Sequence, residues 1–110
     1  MAKTKSELLH GTLELLVLRI LESEAMNGYG IGRRIEDLTG DALSVDEGSL
    51  YPALYRMEER GWLASSWRVT ENKRRAKFYR LTSAGRRRLG SERSNWSEFA
   101  AAVKKILESA

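Results

Sequence analysis

Residues 48–81 read GSLYPALYRMEERGWLASSWRVTENKRRAKFYRL, and the change of texture inside this stretch decides the fold. Up to Gly61 the apolar residues Leu50, Leu54 and Met57 recur at spacings of four and three, the period of a helix with one buried stripe. Pro52 restricts where that helix starts. A proline is tolerated only near a helix start, where the amides have no intrahelical acceptor to lose, so the first turn falls between Asp46 and Ser49. Gly61 supplies the stop. Beyond it the period shortens to two: Trp62 to Thr70 is rich in aromatic and β-branched residues, with Leu63, Trp67 and Val69 on one side of a strand. Ala76 to Leu81 is a second strand, and Glu71-Asn72-Lys73-Arg74-Arg75 is the charged tip between them.

Working upstream, Leu9, Leu13, Leu16, Val17, Ile20 and Leu21 predict an amphipathic helix over residues 7–24, starting near Ser6. Asn27-Gly28 and Gly30 interrupt the pattern, and Tyr29, Ile31, Ile35 and Leu38 resume it as a shorter helix ending at Gly40. Downstream, Thr82 is a good N-cap for a last helix that runs nearly to residue 110. Gly85 and Gly90 weaken its first half, by about 1 kcal/mol each relative to alanine. Three helices followed by a hairpin is the order of a winged helix-turn-helix. The predicted fold is therefore mainly α with a β-hairpin wing. Residues 1–81 make the winged unit, and residues 82–110 make a long C-terminal helix.

Composition excludes several function classes. The chain has 110 residues, no Cys and one His, so there is no disulfide framework, no thiolate metal site and no histidine cluster. No cofactor or metal is expected. His10 with Glu14 is more economically a helical i,i+4 pair than a catalytic one, and no nucleophile-base-orienter set can be assembled, which argues against an enzyme. Gly28, Gly30 and Gly32 lack the spacing and the preceding strand of a phosphate loop. No apolar run approaches the roughly 20 residues of a membrane span. The start, Met-Ala-Lys-Thr-Lys, does not have the pattern of a secretory signal, so a cytoplasmic location is expected.

Charge is segregated. Residues 1–67 hold seven Lys or Arg against eleven Asp or Glu, whereas residues 68–88 hold nine against Glu71 alone. A positive block in an otherwise acidic chain is the footprint of a phosphate-binding surface, or else a solvated basic loop. The tip residues Lys73, Arg74, Arg75 and Lys77, flanked by Trp67 and Tyr79, can follow a phosphate backbone or send an arginine into a minor groove. Arg86, Arg87 and Arg88 either extend that field or form an ordinary solvated helix face. On the third helix, Ser49, Tyr51, Pro52, Tyr55 and Arg56 lie opposite the apolar stripe. Such a face reaches base edges in a major groove, unless its tyrosines simply pack on neighbours.

The last helix carries Leu89, Trp96, Phe99, Val103 and Ile106 in an a/d register. At 1.5 Å per residue it outruns a three-helix core, so its seam calls for a second surface, and another copy of the chain is the simplest supplier.

Four segments together resemble the PadR family of bacterial transcriptional regulators: GTLELLVLRIL (11–21), NGYGIGRRI (27–35), GSLYPALYRMEERGWL (48–63) and KFYRLTSAGRRRL (77–89). The resemblance covers nearly the whole chain and implies a dimeric winged helix-turn-helix repressor on an inverted-repeat operator in double-stranded DNA. It implies that Tyr29 touches a phosphate, that Ser49, Tyr51 and Pro52 open the recognition helix, and that Lys73, Arg74, Arg75 and Lys77 form the wing. It also places Trp96 where some relatives stack planar aromatic effectors in the dimer interface, although a tryptophan there is equally an interface filler. With a single C-terminal helix the chain resembles the short subfamily. The competing readings are a ligand-sensing module centred on Trp96 and a protein-interaction adaptor that does not bind DNA.

Overall fold

The computed structural model describes residues 12–110, in the order α1 (Leu13–Ser23), β1 (Met26–Asn27), α2 (Gly28–Leu38), α3 (Glu47–Glu59), β2 (Leu63–Val69), β3 (Arg75–Leu81) and α4 (Ser83–Leu107). The expected start of the first helix near residue 7, with Leu9, His10, Lys3 and Lys5, lies outside the described residues.

Each helix boundary has a local cause. The Asn27 side chain accepts from the Gly30 amide at 2.8 Å and caps α2. The Asp46 side chain accepts from the Ser49 amide at 2.8 Å and caps α3. At the far end of α3 the Trp62 amide donates to the Met57 carbonyl and the Gly61 amide to the Glu58 carbonyl, with Gly61 at φ +80°. This is a Schellman turn, which needs a left-handed residue where glycine stands. Helix α3 begins at Glu47, within the range read from Pro52, and Pro52 falls in its second turn. It lies on the exposed side, and the missing hydrogen bond leaves only the Gly48 carbonyl without a helical donor.

The sheet has three antiparallel strands in the order β1-β3-β2. The hairpin is in register from Leu63↔Leu81 at its base to Val69↔Arg75 at its tip, and β1 adds Met26↔Tyr79 and Asn27↔Phe78 on the other edge of β3. Two-residue β1 escapes the sequence reading because so short a strand has no period to detect.

The core lies between α1, α2, α3 and the hairpin base. Val17, Leu18, Ile31, Leu54 and Met57 are fully buried at its centre, and Leu63, Tyr79 and Leu81 close it from the sheet. Trp67 and Val69 share Leu63's side of β2 but are exposed, because the hairpin runs past the helices that would cover them. Leu38, at the end of α2, is exposed as well. The core also takes in the first turns of α4. Leu89, read as the start of the dimer seam, is turned into the chain's own core at 2% exposure. Among the described residues no helix is long and apolar enough to cross a membrane. The architecture is a winged helix-turn-helix with a long fourth helix.

Candidate nucleic-acid interface

The start of α2 is held against α3 by one close approach. The Tyr51 ring lies over Gly28, and a Cβ on Gly28 would come within 2.9 Å of the tyrosine Cζ. Glycine at residue 28 therefore lets the Tyr51 ring, itself still exposed, lie against the start of α2, while Tyr29, 69% exposed, projects outward in its first turn. Tyr29 and Asn27 line an open groove of about 910 Å³ whose opposite wall is the wing, including Arg68, Arg74, Arg75 and Phe78. The N-terminus of α2 and the wing residues Arg68, Arg74 and Arg75 thus line one channel, with Glu71 among them, although the Arg75 guanidinium itself stacks on Trp67, on the opposite face of the wing from Arg68.

The wing tip is a tight turn. The Thr70 amide donates to the Arg74 carbonyl at 2.8 Å and the Lys73 amide to the Thr70 carbonyl at 2.9 Å. Closing it puts Lys73 at φ +61°, a left-handed conformation that lysine rarely adopts. Along the strands the cations stack on aromatic rings from both faces. Arg75 lies 5.1 Å from the Trp67 ring centre on one side, and Arg68 lies 4.8 Å from the Phe78 ring centre on the other.

On α3, Tyr51, Pro52 and Tyr55 are exposed, while Ser49 is half-buried beside the Asp46 cap. Arg56, read as part of the same face, is turned aside. Its Nε is 4.0 Å from the Glu14 carboxylate of α1, which Arg60 also approaches at 3.4 Å. The exposed face of α3 therefore offers hydroxyl and aromatic groups, and the free positive charge comes from the wing.

Lys77 is the second cation whose setting differs from its sequence reading. Its Nζ is 3.0 Å from Glu58 Oε1, and Ser65 donates its hydroxyl to Glu58 Oε2 at 2.5 Å. One carboxylate on α3 thus ties both wing strands. The Ser65 hydrogen bond, with Lys77 adding to it, holds the Glu58 carboxyl below its ordinary 4.5 despite partial burial. Glu58 in turn raises Lys77 above 10.5, with the Tyr79 and Tyr55 phenols nearby. Tyr79 lies beneath the Lys77 ammonium, 5.5 Å from its ring centre, and burial pushes its phenol upward. The sequence reading does not single out Glu58. Only its helical spacing, seven residues after Tyr51 and three after Tyr55, places it on their face, and nothing in the spacing reveals what it meets.

The remaining basic cluster is elsewhere. Arg88 lies 4.6 Å from the Trp62 ring centre, with Arg60 at 5.2 Å from the same ring, and its guanidinium pairs with Glu92. Trp62 stands at the hairpin base, about 20 Å from the tip at 3.3 Å per strand residue. The block of positive charge over residues 68–88 is therefore two clusters, of which the tip lines the groove.

Past Leu89, α4 leaves the core. Among the described residues, its outermost ion pair to the rest of the fold is Arg93 with Glu22 of α1 at 3.5 Å. Beyond it Trp96, Phe99, Val103 and Ile106 form one exposed apolar stripe, with the Trp96 and Phe99 ring centres 6.2 Å apart. Trp96, Phe99, Ala100, Val103 and Leu107 line a shallow apolar depression of about 310 Å³.

Comparison with known proteins agrees with this architecture. The family model described as the transcriptional regulator PadR-like family matches residues 17–91. A transcriptional regulator of Mycobacterium tuberculosis is 36% identical over 78% of this chain and 79% of its own length. The crystal structure of a PadR family transcriptional regulator from Eggerthella lenta superposes with a TM-score of 0.82 at 35% identity, covering 94% of this chain and 88% of that one. A transcriptional regulator from Clostridium thermocellum superposes with a TM-score of 0.85 at 25% identity, over 94% and 100% of the two chains. The matched segment runs from α1 through the wing into the core-facing turns of α4, and on that ground the chain belongs to the PadR-like family of transcriptional regulators.

Proposed function

We propose that the chain acts in the cytoplasm as a homodimeric, sequence-specific DNA-binding regulator, a repressor on an inverted-repeat operator. The observation that carries this reading is the groove in which Tyr29, at the N-terminus of α2, faces Arg68, Arg74 and Arg75 of the wing. That channel suits a phosphate backbone, because polar groups come from both walls and one of its cations, Arg68, is held by stacking on Phe78. In this reading Ser49, Tyr51, Pro52 and Tyr55 reach into the major groove, and Lys73 extends the positive field at the tip. The apolar stripe of α4 supports pairing with a second copy, with residues 82–110 as the dimerisation element. Half-sites then lie about 10–10.5 bp apart, as for other twofold helix-turn-helix dimers.

A second reading is favoured by the apolar depression beside Trp96. It assigns the dimer interface a planar aromatic effector that stacks on this ring. Quenching of tryptophan fluorescence by planar dyes, lost in Trp96→Ala, is its expected signature.

The test of the main reading is selection of bound duplexes from a random pool, followed by gel shift of a selected and an unrelated duplex at two salt concentrations. The selected duplex should bind more tightly, and both affinities should fall steeply with salt. Equal affinity for the two would refute sequence specificity. Absence of salt-sensitive binding would leave the adaptor reading in its place.

A further inference from the structure

Glu58, Ser65 and Lys77 form the most enclosed ion-pair cluster outside the core. The Lys77 and Glu58 side chains are 33% and 30% exposed. Both oxygens of Glu58 are engaged, Oε1 by the ammonium of β3 and Oε2 by the hydroxyl of β2. The carboxylate therefore fixes α3 against both strands of the wing at once. Glu58 also lies on the same helical face as Tyr51 and Tyr55, at spacings of seven and three. A rotation of α3 that displaced those tyrosines would have to break the Glu58 bonds.

We propose that Glu58 is a positioning residue for DNA recognition: through Ser65 and Lys77 it sets the rotation of the α3 tyrosine face relative to the wing, and it withholds Lys77 from phosphate. The inference rests on the DNA-binding reading above. In it, the wing's phosphate-directed cations are Arg68, Lys73, Arg74 and Arg75, and Lys77 serves the internal geometry. Side chains that read base edges lose discrimination when their approach is displaced, whereas a phosphate-directed cation contributes to every sequence alike. The strut therefore belongs to specificity.

The experiment compares the wild-type chain with Glu58→Gln, Lys77→Arg and the double variant Glu58→Gln/Lys77→Met. Each binds the selected duplex and an unrelated one between 50 and 200 mM salt, after circular dichroism has shown it folded. Glu58→Gln frees Lys77, so the salt slope should steepen by up to about one unit while preference for the selected duplex falls by about tenfold, the size of one lost base contact. Lys77→Arg keeps the ion pair and should retain the preference. The double variant removes both charges and should keep the wild-type salt slope. A double variant whose slope is shallower by about one unit would show Lys77 on a phosphate and overturn the proposal. So would Glu58→Gln with wild-type slope and preference. Should Glu58→Gln fail to fold, Ser65→Ala takes its place, with lost preference expected and unchanged preference overturning the strut. A wild-type chain that binds neither duplex overturns the DNA-binding reading itself, an outcome visible before any substitution is made.

Discussion

Arg75 holds its guanidinium 5.1 Å from the centre of the Trp67 ring, on the side of the wing that also carries Ser65 and the core residue Leu63. Trp67 is 59% exposed, so it adds little to the core and acts instead as a platform that restricts where Arg75 points. A cation–π contact at an exposed site is worth about 0.5–1 kcal/mol. Trp67→Ala should therefore weaken binding to selected and unrelated duplexes alike by about two- to fivefold, with the salt slope and unfolding midpoint nearly unchanged. Arg75→Ala should flatten the slope by about one unit. A flattened slope in Trp67→Ala would mean that the ring holds more than one cation on the DNA.

Lys73 is the wing residue whose backbone and side chain have opposite interests. Its φ of +61° closes the turn, a conformation glycine adopts freely and lysine only at a cost of about 1 kcal/mol. Lys73→Gly should raise stability by up to about 1 kcal/mol, read as a higher urea midpoint, and flatten the DNA salt slope by about one unit. A loss of stability would show that the side chain supports the turn.

Two glycines of α4 that look alike in sequence should respond with opposite sign. A Cβ on Gly85 would collide with the Trp62 carbonyl, which is itself fixed by the Thr82 amide at 3.1 Å and the Thr82 hydroxyl at 3.0 Å. Gly90 faces open space. Gly85→Ala should destabilise by about 1–3 kcal/mol, as overpacking against a backbone atom that cannot move. Gly90→Ala should stabilise by up to about 1 kcal/mol through helix propensity alone. Thermal unfolding separates them, since 1 kcal/mol moves the midpoint by about 4–8 °C in a domain near this size.

These cases mark what was legible in the sequence. Period and punctuation placed all four helices and the hairpin, because Asn27, Asp46, Gly61 and Thr82 act through hydrogen bonds to residues near them in the chain. The tip residues were legible as basic, whereas Tyr29 was read with the apolar stripe of its helix and is exposed, and their meeting across one groove depends on β1 pairing with β3, which no local pattern announces. Arg56 and Lys77 have carboxylate partners that the sequence reading did not foresee, for a related reason. Their partners, Glu14 and Glu58, stand on other elements, so the neutralising charge is invisible to a count along the chain. Leu89 fits the a/d register of the seam, yet the same register continues inward, and only the depth of the core shows where it changes function.

The Glu58 and Lys77 shifts set the pH response of the strut. Glu58 is held below its ordinary 4.5, so its contribution is present above that value and is lost as pH falls through its lower folded value. Lys77 is held above 10.5, so its contribution is present below that value and is lost as pH rises through its higher folded value. The difference in urea midpoint between wild type and Glu58→Gln should therefore stay level between about pH 6 and pH 9 and shrink below about pH 4.5. A difference that grew on acidification would mean that Glu58 is strained in the folded chain.

The outer half of α4 gives the last prediction. Phe99 and Ile106 are 63% and 74% exposed on one stripe with Trp96 and Val103, on a helix that has already left the core at Leu89. A contiguous apolar stripe of this kind is costly to leave in water and is characteristic of an interface. Since closed pairs are the commonest assemblies of identical chains, a twofold antiparallel or crossed packing of α4 on its copy would bury all four residues together. Ile106→Glu places a carboxylate in that seam, where two copies of the charge would face each other or apolar side chains without compensation. The wild-type chain should sediment as a dimer at micromolar concentration and Ile106→Glu as a monomer, with circular dichroism unchanged because residue 106 touches nothing in the winged core. Affinity for a two-half-site duplex should then fall by at least about a hundredfold, as the second half-site loses its tethered partner, while affinity for a single half-site stays level. A wild-type monomer at that concentration would instead leave the stripe to a different partner.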